Sequence, residues 1–406
     1  MRRWLATALG LVTALAATGC GGASDAPPAK PHGKTPNAWT YGYAAKDLNS
    51  SGVNIAAVSA DDAWAIAVQP VTGQIDNQTM TLLRYDGTSF RPQKPPPGIE
   101  TSKGGSYRLE ASSPDDVWLF QSRMETGLYI AHWDGTRWKQ VAAPDGITGV
   151  SDVAVLGPDD TWVANGTDSI RHWDGARWTV MSLPAPVEFL AGKPGGDVWA
   201  SGRTEDAEDR LAYGGPVVLH RDGKTWKREH LPAVVPPAGL SASLGVSPMA
   251  LYAPAPDDVW AISRLAGEDD NGDAVYLKPF ALHWDGTRWS KASPDDCGPC
   301  GVPAGDTVLT ATGMHGDNGD GDTVLFSPRH RPAHGTPRKI GRPPYTAGHS
   351  GKVTATDRKQ KLRLREITSI PGTSEVWGIG SITLEGHGDA NFSRAVILRY
   401  AAGAAK

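Results

Sequence analysis

Cysteine, methionine and phenylalanine are scarce in this chain of 406 residues, which holds three, six and six of them. Three cysteines cannot staple a chain of this length, so its stability has to come from an apolar core. No apolar run reaches the ~20 residues of a membrane-spanning helix, and the run at residues 5–17 falls well short. An excess of positive charge is also missing. The formal net charge of −4 gives no reason to expect a nucleic-acid partner. Charged residues make up only 21%, which excludes a disordered, self-repelling chain. Turn formers and tryptophan are plentiful instead, with 48 Gly, 32 Pro and 15 Trp.

The tryptophans repeat. His132-Trp133-Asp134-Gly135-Thr136-Arg137-Trp138 returns with small changes at 172–178 and at 283–289. Each copy follows an Asp-x-Trp step, and the tryptophans that recur at this second-strand position are Trp64, Trp118, Trp162, Trp199, Trp260 and Trp377. One unit reads as an apolar strand, an Asp-Asp turn, a Val-Trp strand, a variable stretch, a Leu-x-His-Trp strand, an Asp-Gly turn and an Arg-Trp strand. Short runs rich in β-branched and aromatic residues, bounded by turn formers, are strands. Asp-Gly between two of them signals a hairpin in which both turn residues take positive φ. Four short antiparallel strands per unit, repeated around an axis, make a β-propeller blade.

The gap between Trp260 and Trp377 is about twice the others and hides a degenerate blade. Residues 306–313 and 322–327 supply its first two strands. The expected fold is therefore an all-β, seven-bladed β-propeller, with six blades as the runner-up. The final repeat has a third strand near 397–400 but no fourth. Residues 37–41 (Asn-Ala-Trp-Thr-Tyr) match a fourth strand, so the N-terminal strand should complete the last blade and remove two open edges. Fourteen tryptophans then occupy repeat positions, and period-locked aromatics are expected to pack between blades rather than to stack on sugars. The repeating aspartates are read as turn residues, because short Asp side chains bond their own backbone.

The N-terminus resembles a bacterial lipoprotein leader. Arg2 and Arg3 precede the apolar run, which ends at Ala17-Thr18-Gly19-Cys20. That resemblance implies a signal peptide at 1–19, cleavage before Cys20, and a diacylglycerol on its sulfur. It implies a chain moored by lipid to the outer side of a cell membrane, since two or more acyl chains hold stably where one does not. Residues 20–37 are small, polar and Pro-rich, which makes them a tether; residues 38–406 form the propeller. With Cys20 lipidated, Cys297 and Cys300 are the pair left over, and export favours a local disulfide between them.

First-to-second and third-to-fourth strand turns are short and alike, so they share one face. The other connections vary in length, and variable insertions gathered on one face mark the binding side of a repeat fold. Two acidic stretches offer oxygen ligands for calcium: Asp269, Asp270 and Asp273, then Asp317, Asp320 and Asp322. Polar turns are the competing reading for both. A basic insertion at about 328–361 carries Arg329, Arg331, Arg338, Lys339, Arg342, Lys359 and Lys361, suited to an anionic surface, or else simply solvated.

The repeat also resembles exported bacterial propellers of the Asp-box and Kelch type. That resemblance is architectural; taken with the leader and the variable loops, the expectation is a monomeric, membrane-anchored, extracytoplasmic module binding a protein, a glycan or an anionic envelope ligand, with no cofactor beyond calcium. A propeller enzyme acting on carbohydrate, glycosidase or galactose-oxidase-like, is the alternative. Charged side chains converging on the central channel would favour it.

Overall fold

The computed structural model describes residues 38–46, 50–70, 78–102, 105–123, 127–204, 215–234, 245–246, 249–268, 274–292, 301–304, 307–310, 313–315, 360–373, 375–384 and 392–401. All of them fall in one unit, Thr35–Lys406, of the two into which the chain divides. Among the described residues there is no helix, and every sheet is antiparallel.

β1 (Ala38–Ala44) stands first. β2 (Ser51–Ala57), β3 (Ala63–Pro70), β4 (Gln78–Tyr85) and β5 (Phe90–Gln93) then form a sheet in chain order. β6 (Ser106–Ser113), β7 (Asp116–Arg123), β8 (Gly127–Trp133) and β9 (Trp138–Val141) form the second. The third is β10 (Asp152–Gly157), β11 (Asp160–Ala164), β12 (Ser169–Trp173) and β13 (Trp178–Ser182). β14 (Val187–Gly192), β15 (Val198–Arg203), β16 (Pro216–Arg221) and β17 (Trp226–Arg228) come next as the fourth. In the fifth, β18 (Gly245–Val246) and β19 (Ala250–Ala255) both pair with β20 (Asp258–Glu268), which leads to β21 (Ala274–Trp284) and β22 (Trp289–Ala292). Three short strands, β23 (Gly301–Ala304), β24 (Thr307–Thr310) and β25 (Gly313–His315), make a sheet of their own. β26 (Gln360–Ser369), β27 (Val376–Leu384) and β28 (Phe392–Ala401) form the last, and β1 is its fourth strand.

Six sheets thus have four or five strands and one has three. The expected N-terminal closure is present: Ala38 lies opposite Ala401 and Trp39 opposite Tyr400. The three-stranded sheet differs from expectation. Residues 307–310 sit in its middle instead of opening it, because 301–304 supplies an earlier strand; residues 322–327 lie outside the described residues. The variable stretch at 264–278 is mostly not a loop. β20 and β21 continue as a ladder to Glu268 opposite Ala274.

First strands lie side by side around the sheets: β26 against β2, β2 against β6, β6 against β10, β10 against β14, and β14 against β19. A sheet sandwiched in this way is covered on both faces, and its second strand shows it. Asp116 to Gln121 are all buried, without the in–out alternation of a half-exposed strand. Fourth strands such as β13 and β17 are largely open to solvent, as the outer edge should be.

The tryptophans are core. Four second-strand tryptophans are boxed by two aromatics from the third and fourth strands of the next sheet, while Trp162 meets Trp226 at 5.7 Å and has Arg221 over its ring. Trp64 meets Trp133 and Trp138, each at 5.3 Å. Trp118 meets Trp173 and Trp178 at 5.9 and 6.3 Å. Trp199 meets Trp284 and Trp289 at 5.4 and 5.6 Å. Trp377 of the last sheet meets Tyr85 and Phe90 of the first at 5.1 and 5.2 Å, so the same contact closes the series. Such pairs add about 0.5–1.5 kcal/mol each beyond their burial.

The aspartates divide into two kinds, and only one matches the expected turn role. Asp134 opens a loop of four residues, not two, because Trp133 pairs with Trp138 across it. Its Oδ1 accepts from the amides of Thr136 and Arg137 at 3.0 and 2.9 Å, so the carboxylate closes the turn. Only the glycine needs positive φ, and Gly135 has φ 86°. These carboxylates sit low: hydrogen bonds from Thr88 and from the amides of Ser89 and Thr88 draw Asp86 down to about 2. A Cβ on Gly175 or Gly286 would stand 2.9 Å from Asp159 or Asp257 of the first-to-second strand turn, so the two sets of tight turns do share one face.

The acid two residues before each second-strand tryptophan, aspartate except for Glu375, is an anchor instead. Period 2 puts both side chains on one face of the strand. Asp116 Oδ1 accepts from Trp118 Nε1 at 2.9 Å and binds His132 Nε2 at 2.7 Å. His132 lies opposite Trp118 in the ladder and stacks on it, with centroids 4.5 Å apart. Asp160, Trp162 and His172 repeat the set, as do Asp258, Trp260 and His283. Arginine takes the histidine's place in two sheets. Arg84 binds Asp62 at 2.9 and 2.8 Å and lies over Trp64, and Arg399 binds Glu375 at 2.6 Å and lies over Trp377. There the acid is taken up by the guanidinium, and the indole N–H of Trp64 and of Trp377 has no hydrogen-bond partner among the described residues.

Candidate functional site

A cavity of about 530 Å³ lies where the first strands meet, with residues from β2, β6, β10, β14, β19 and β26 around it. Val68, Gln78 and Gly105 line it at or beside strand ends on the side of the variable connections. It opens on the face expected to bind.

Its wall has two halves. β14 and β19 contribute Phe189, Ala250 and Leu251. β2, β6, β10 and β26 contribute Asn54, Arg108, Glu110, Asp152 and Glu366. Several of these polar groups tie one sheet to the next. Asn54 Nδ2 donates to Glu366 Oε2 at 2.5 Å, and its Oδ1 accepts from the Leu109 amide. One buried amide therefore joins three sheets. Arg108 Nη2 donates to the Ser151 carbonyl at 2.9 Å, and its Nε lies 3.9 Å from Asp152 Oδ1. Asp152 Oδ2 accepts from the Leu190 amide at 2.8 Å, and the Ser201 hydroxyl bonds the Met249 carbonyl. Tyr252 Oη and Ser369 Oγ, 3.4 Å apart, link β19 to β26.

Glu110 stands apart. Among the described residues its carboxyl makes no hydrogen bond. Burial pushes its pKa well above the ordinary carboxylate range, and the nearby Glu366 and Asp152 push the same way against Arg108. Burial also raises Glu366, to about 7, although the Asn54 amide holds its charged form. Asp152 is raised by burial against the opposing pull of Arg108. Near neutral pH the cavity thus holds carboxyls that retain protons, beside a fixed guanidinium. The set can donate or accept hydrogen bonds, and it can exchange protons when a charged group enters.

None of the side chains singled out from the sequence lines this cavity. Cys20, Cys297 and Cys300 lie outside the described residues, as do Asp269, Asp270, Asp273, Asp317, Asp320 and Asp322. So do Arg329, Arg331, Arg338, Lys339, Arg342 and Lys359. Lys361 belongs to β26, paired with Thr383, so the C-terminal end of the basic run is strand rather than loop. Arg365, on the same strand, reaches the cavity wall. Among the described residues no three His, Cys, Asp or Glu side chains converge as a metal site.

Successive four-stranded sheets, packed first strand to first strand and joined last to first, are the architecture of a β-propeller. No protein family matches the chain, and no curated protein does. Similar solved structures are β-propeller proteins. YCF48 bound to D1 peptide is 14% identical with a TM-score of 0.43, over 90% of this chain and 97% of that one. The N-terminal domain of Nup159 is 10% identical with a TM-score of 0.45, over 91% and 97%. A fucose-specific lectin from Aleuria aurantia is 10% identical with a TM-score of 0.36, over 87% and 97%. The fold assignment rests on strand order and intersheet packing, not on these scores.

Proposed function

We propose that this protein is a lipid-anchored, extracytoplasmic binding module whose ligand seats in the central cavity of a seven-bladed propeller. In this reading β23, β24 and β25 belong to the degenerate blade, and the acyl chains on Cys20 hold the module to the membrane through the tether at 20–37. One observation carries the binding role. A half-charged, half-apolar cavity of about 530 Å³ opens on the variable-loop face, and pockets of about 300–1,000 Å³ with a few convergent polar groups suit small ligands.

The test is a melting-temperature and NMR screen of the mature chain against organic cations, neutral sugars and organic anions. Ser106→Trp, at an exposed cavity residue, is the plugged control. The reading expects a ligand that shifts the parent and not the plugged variant. It fails when no class binds, or when every ligand binds both alike. Cys20→Ala should move the protein from the membrane fraction to the soluble one.

Glu110 and Glu366 support a second reading, glycoside hydrolysis, because a carboxyl that keeps its proton beside one that ionises is the acid–base set of that chemistry. Release of nitrophenol from aryl glycosides, lost in Glu110→Gln, would establish it. No release from a panel of such glycosides leaves the binding module.

A further inference from the structure

The binding role proposed for the central cavity leaves its ligand class open, and the chemistry of the wall narrows it. Resting on that role, we infer that the cavity receives an organic cation, an ammonium or guanidinium on an apolar stem, with its charge against Glu110 and Glu366 and its stem along Phe189 and Leu251.

Three carboxyls, Glu110, Asp152 and Glu366, face the cavity with two arginines, Arg108 and Arg365. Arg108 is already engaged by the Ser151 carbonyl and stands nearest Asp152. Arg365 is exposed. Glu366 has the Asn54 amide as a hydrogen-bond donor. Glu110 has no such donor among the described residues, although it sits in the same wall. Glu110 is only half-buried, but the protein around it and the two neighbouring carboxyls disfavour its anion, so it keeps its proton. An arriving cation reverses that balance, since opposite charge at close range favours the ionised form. Glu110 then transfers its proton to solvent and pairs with the ligand, one proton leaving for each cation bound at that carboxyl. Glu366 adds a second, partial release. A neutral ligand gives no such exchange, and an anion would hold the carboxyls in their protonated form and release no proton. The opposite wall explains the stem: Phe189 and Leu251 offer apolar surface to carbon, as protein does for the methylenes of lysine and arginine.

Isothermal titration calorimetry of the mature chain with n-hexylammonium, n-hexanol and hexanoate tests the inference, at pH 6 and pH 8, with proton release compared near neutral pH in phosphate and in HEPES. Hexylammonium should bind and release protons, read as a heat that differs between the two buffers. With Glu366 near 7, its linkage alone should tighten binding roughly tenfold from pH 6 to pH 8. Glu110→Gln/Glu366→Gln should abolish both the buffer dependence and the pH dependence. Hexylammonium binding without proton release, binding unchanged in the double variant, or hexanoate binding as tightly would overturn the inference. The buffer comparison uses the parent alone, so the conclusion does not depend on the variants folding. If hexanoate or a sugar binds and Ser106→Trp blocks it, the binding role stands and the cation preference falls. If nothing binds, both fall.

Discussion

Asp116 and Asp160 make the same two bonds in neighbouring sheets, yet their loss should differ. Asp116 has a side-chain exposure of 2% and Asp160 of 37%. Asp116→Ala strands the indole N–H of Trp118, which is fully buried. It also removes an acceptor from His132 and from the Ser112 hydroxyl. A buried donor left without a partner costs about 1–3 kcal/mol, and a bond to a charged acceptor is worth more than a neutral one. Asp116→Ala should therefore lose about 3 kcal/mol. Water can replace the more exposed Asp160, and Asp160→Ala should lose about 1 kcal/mol. Urea unfolding followed by tryptophan emission measures both. Adding Trp118→Phe to Asp116→Ala removes the stranded donor, so the double variant should be about 1–2 kcal/mol more stable than the two single losses predict. Equal losses at the two sites, or strict additivity in the double variant, would refute the role of burial.

Two further outcomes are expected from the closure and the cavity. Removing residues 38–44 deletes the ladder that pairs Tyr41 with Leu398 and Ala44 with Val396, and should lower the melting temperature of the whole ring rather than of one segment; a truncated chain melting like its parent would count against the closure. Stability should also fall as pH rises from 4.5 to 7. The ordinary value for Glu366 is 4.5 and its folded value is about 7. Across that window the unfolded chain gives up the proton and the folded chain keeps it. The contribution is complete below 4.5 and gone above 7, a change of about 3 kcal/mol at ~1.4 kcal/mol per pH unit. Urea midpoints of Glu366→Gln across pH 4–8 should fall less steeply than those of the parent, the remainder belonging to Glu110 and Asp152.

Much of the ring is legible in the sequence because its strongest signal is periodic. Tryptophan at one position per unit, with an Asp-Gly hairpin after it, marks the second, third and fourth strands, and these make the intersheet core. Residues 37–41 match a missing fourth strand for the same reason. The anchoring aspartates are visible too, but their role is not. Asp and Trp two apart on one strand share a face, and histidine falls opposite that tryptophan in the next strand. Turn chemistry explains the first aspartate of each pair so well that it masks the different work of the second. The hairpin loop reads as too short because Asp-Gly alone does not reveal the two residues that the carboxylate then caps.

The cavity leaves no such trace. Asn54, Arg108, Glu110, Asp152 and Glu366 lie on first strands, where the inward side chain varies from unit to unit and carries no period. Two of them that touch, Asn54 and Glu366, stand 312 positions apart. Only closure of the ring brings them together, so no local pattern could announce them. The basic insertion at about 328–361 stands out by composition, yet Lys361 at its end serves a strand, and Arg365 just beyond it lines the cavity.

The pairing of β1 with β28 has a consequence for the order of events in synthesis. Thr40 bonds a carbonyl at Arg399, a partner 359 positions later. The strand made first must wait for the strand made last, with its edge unsatisfied throughout. Contacts that distant are slow to form, because the loop must close before the ladder repays it. A nascent chain of this design cannot lock its ring until nearly all of it has been made.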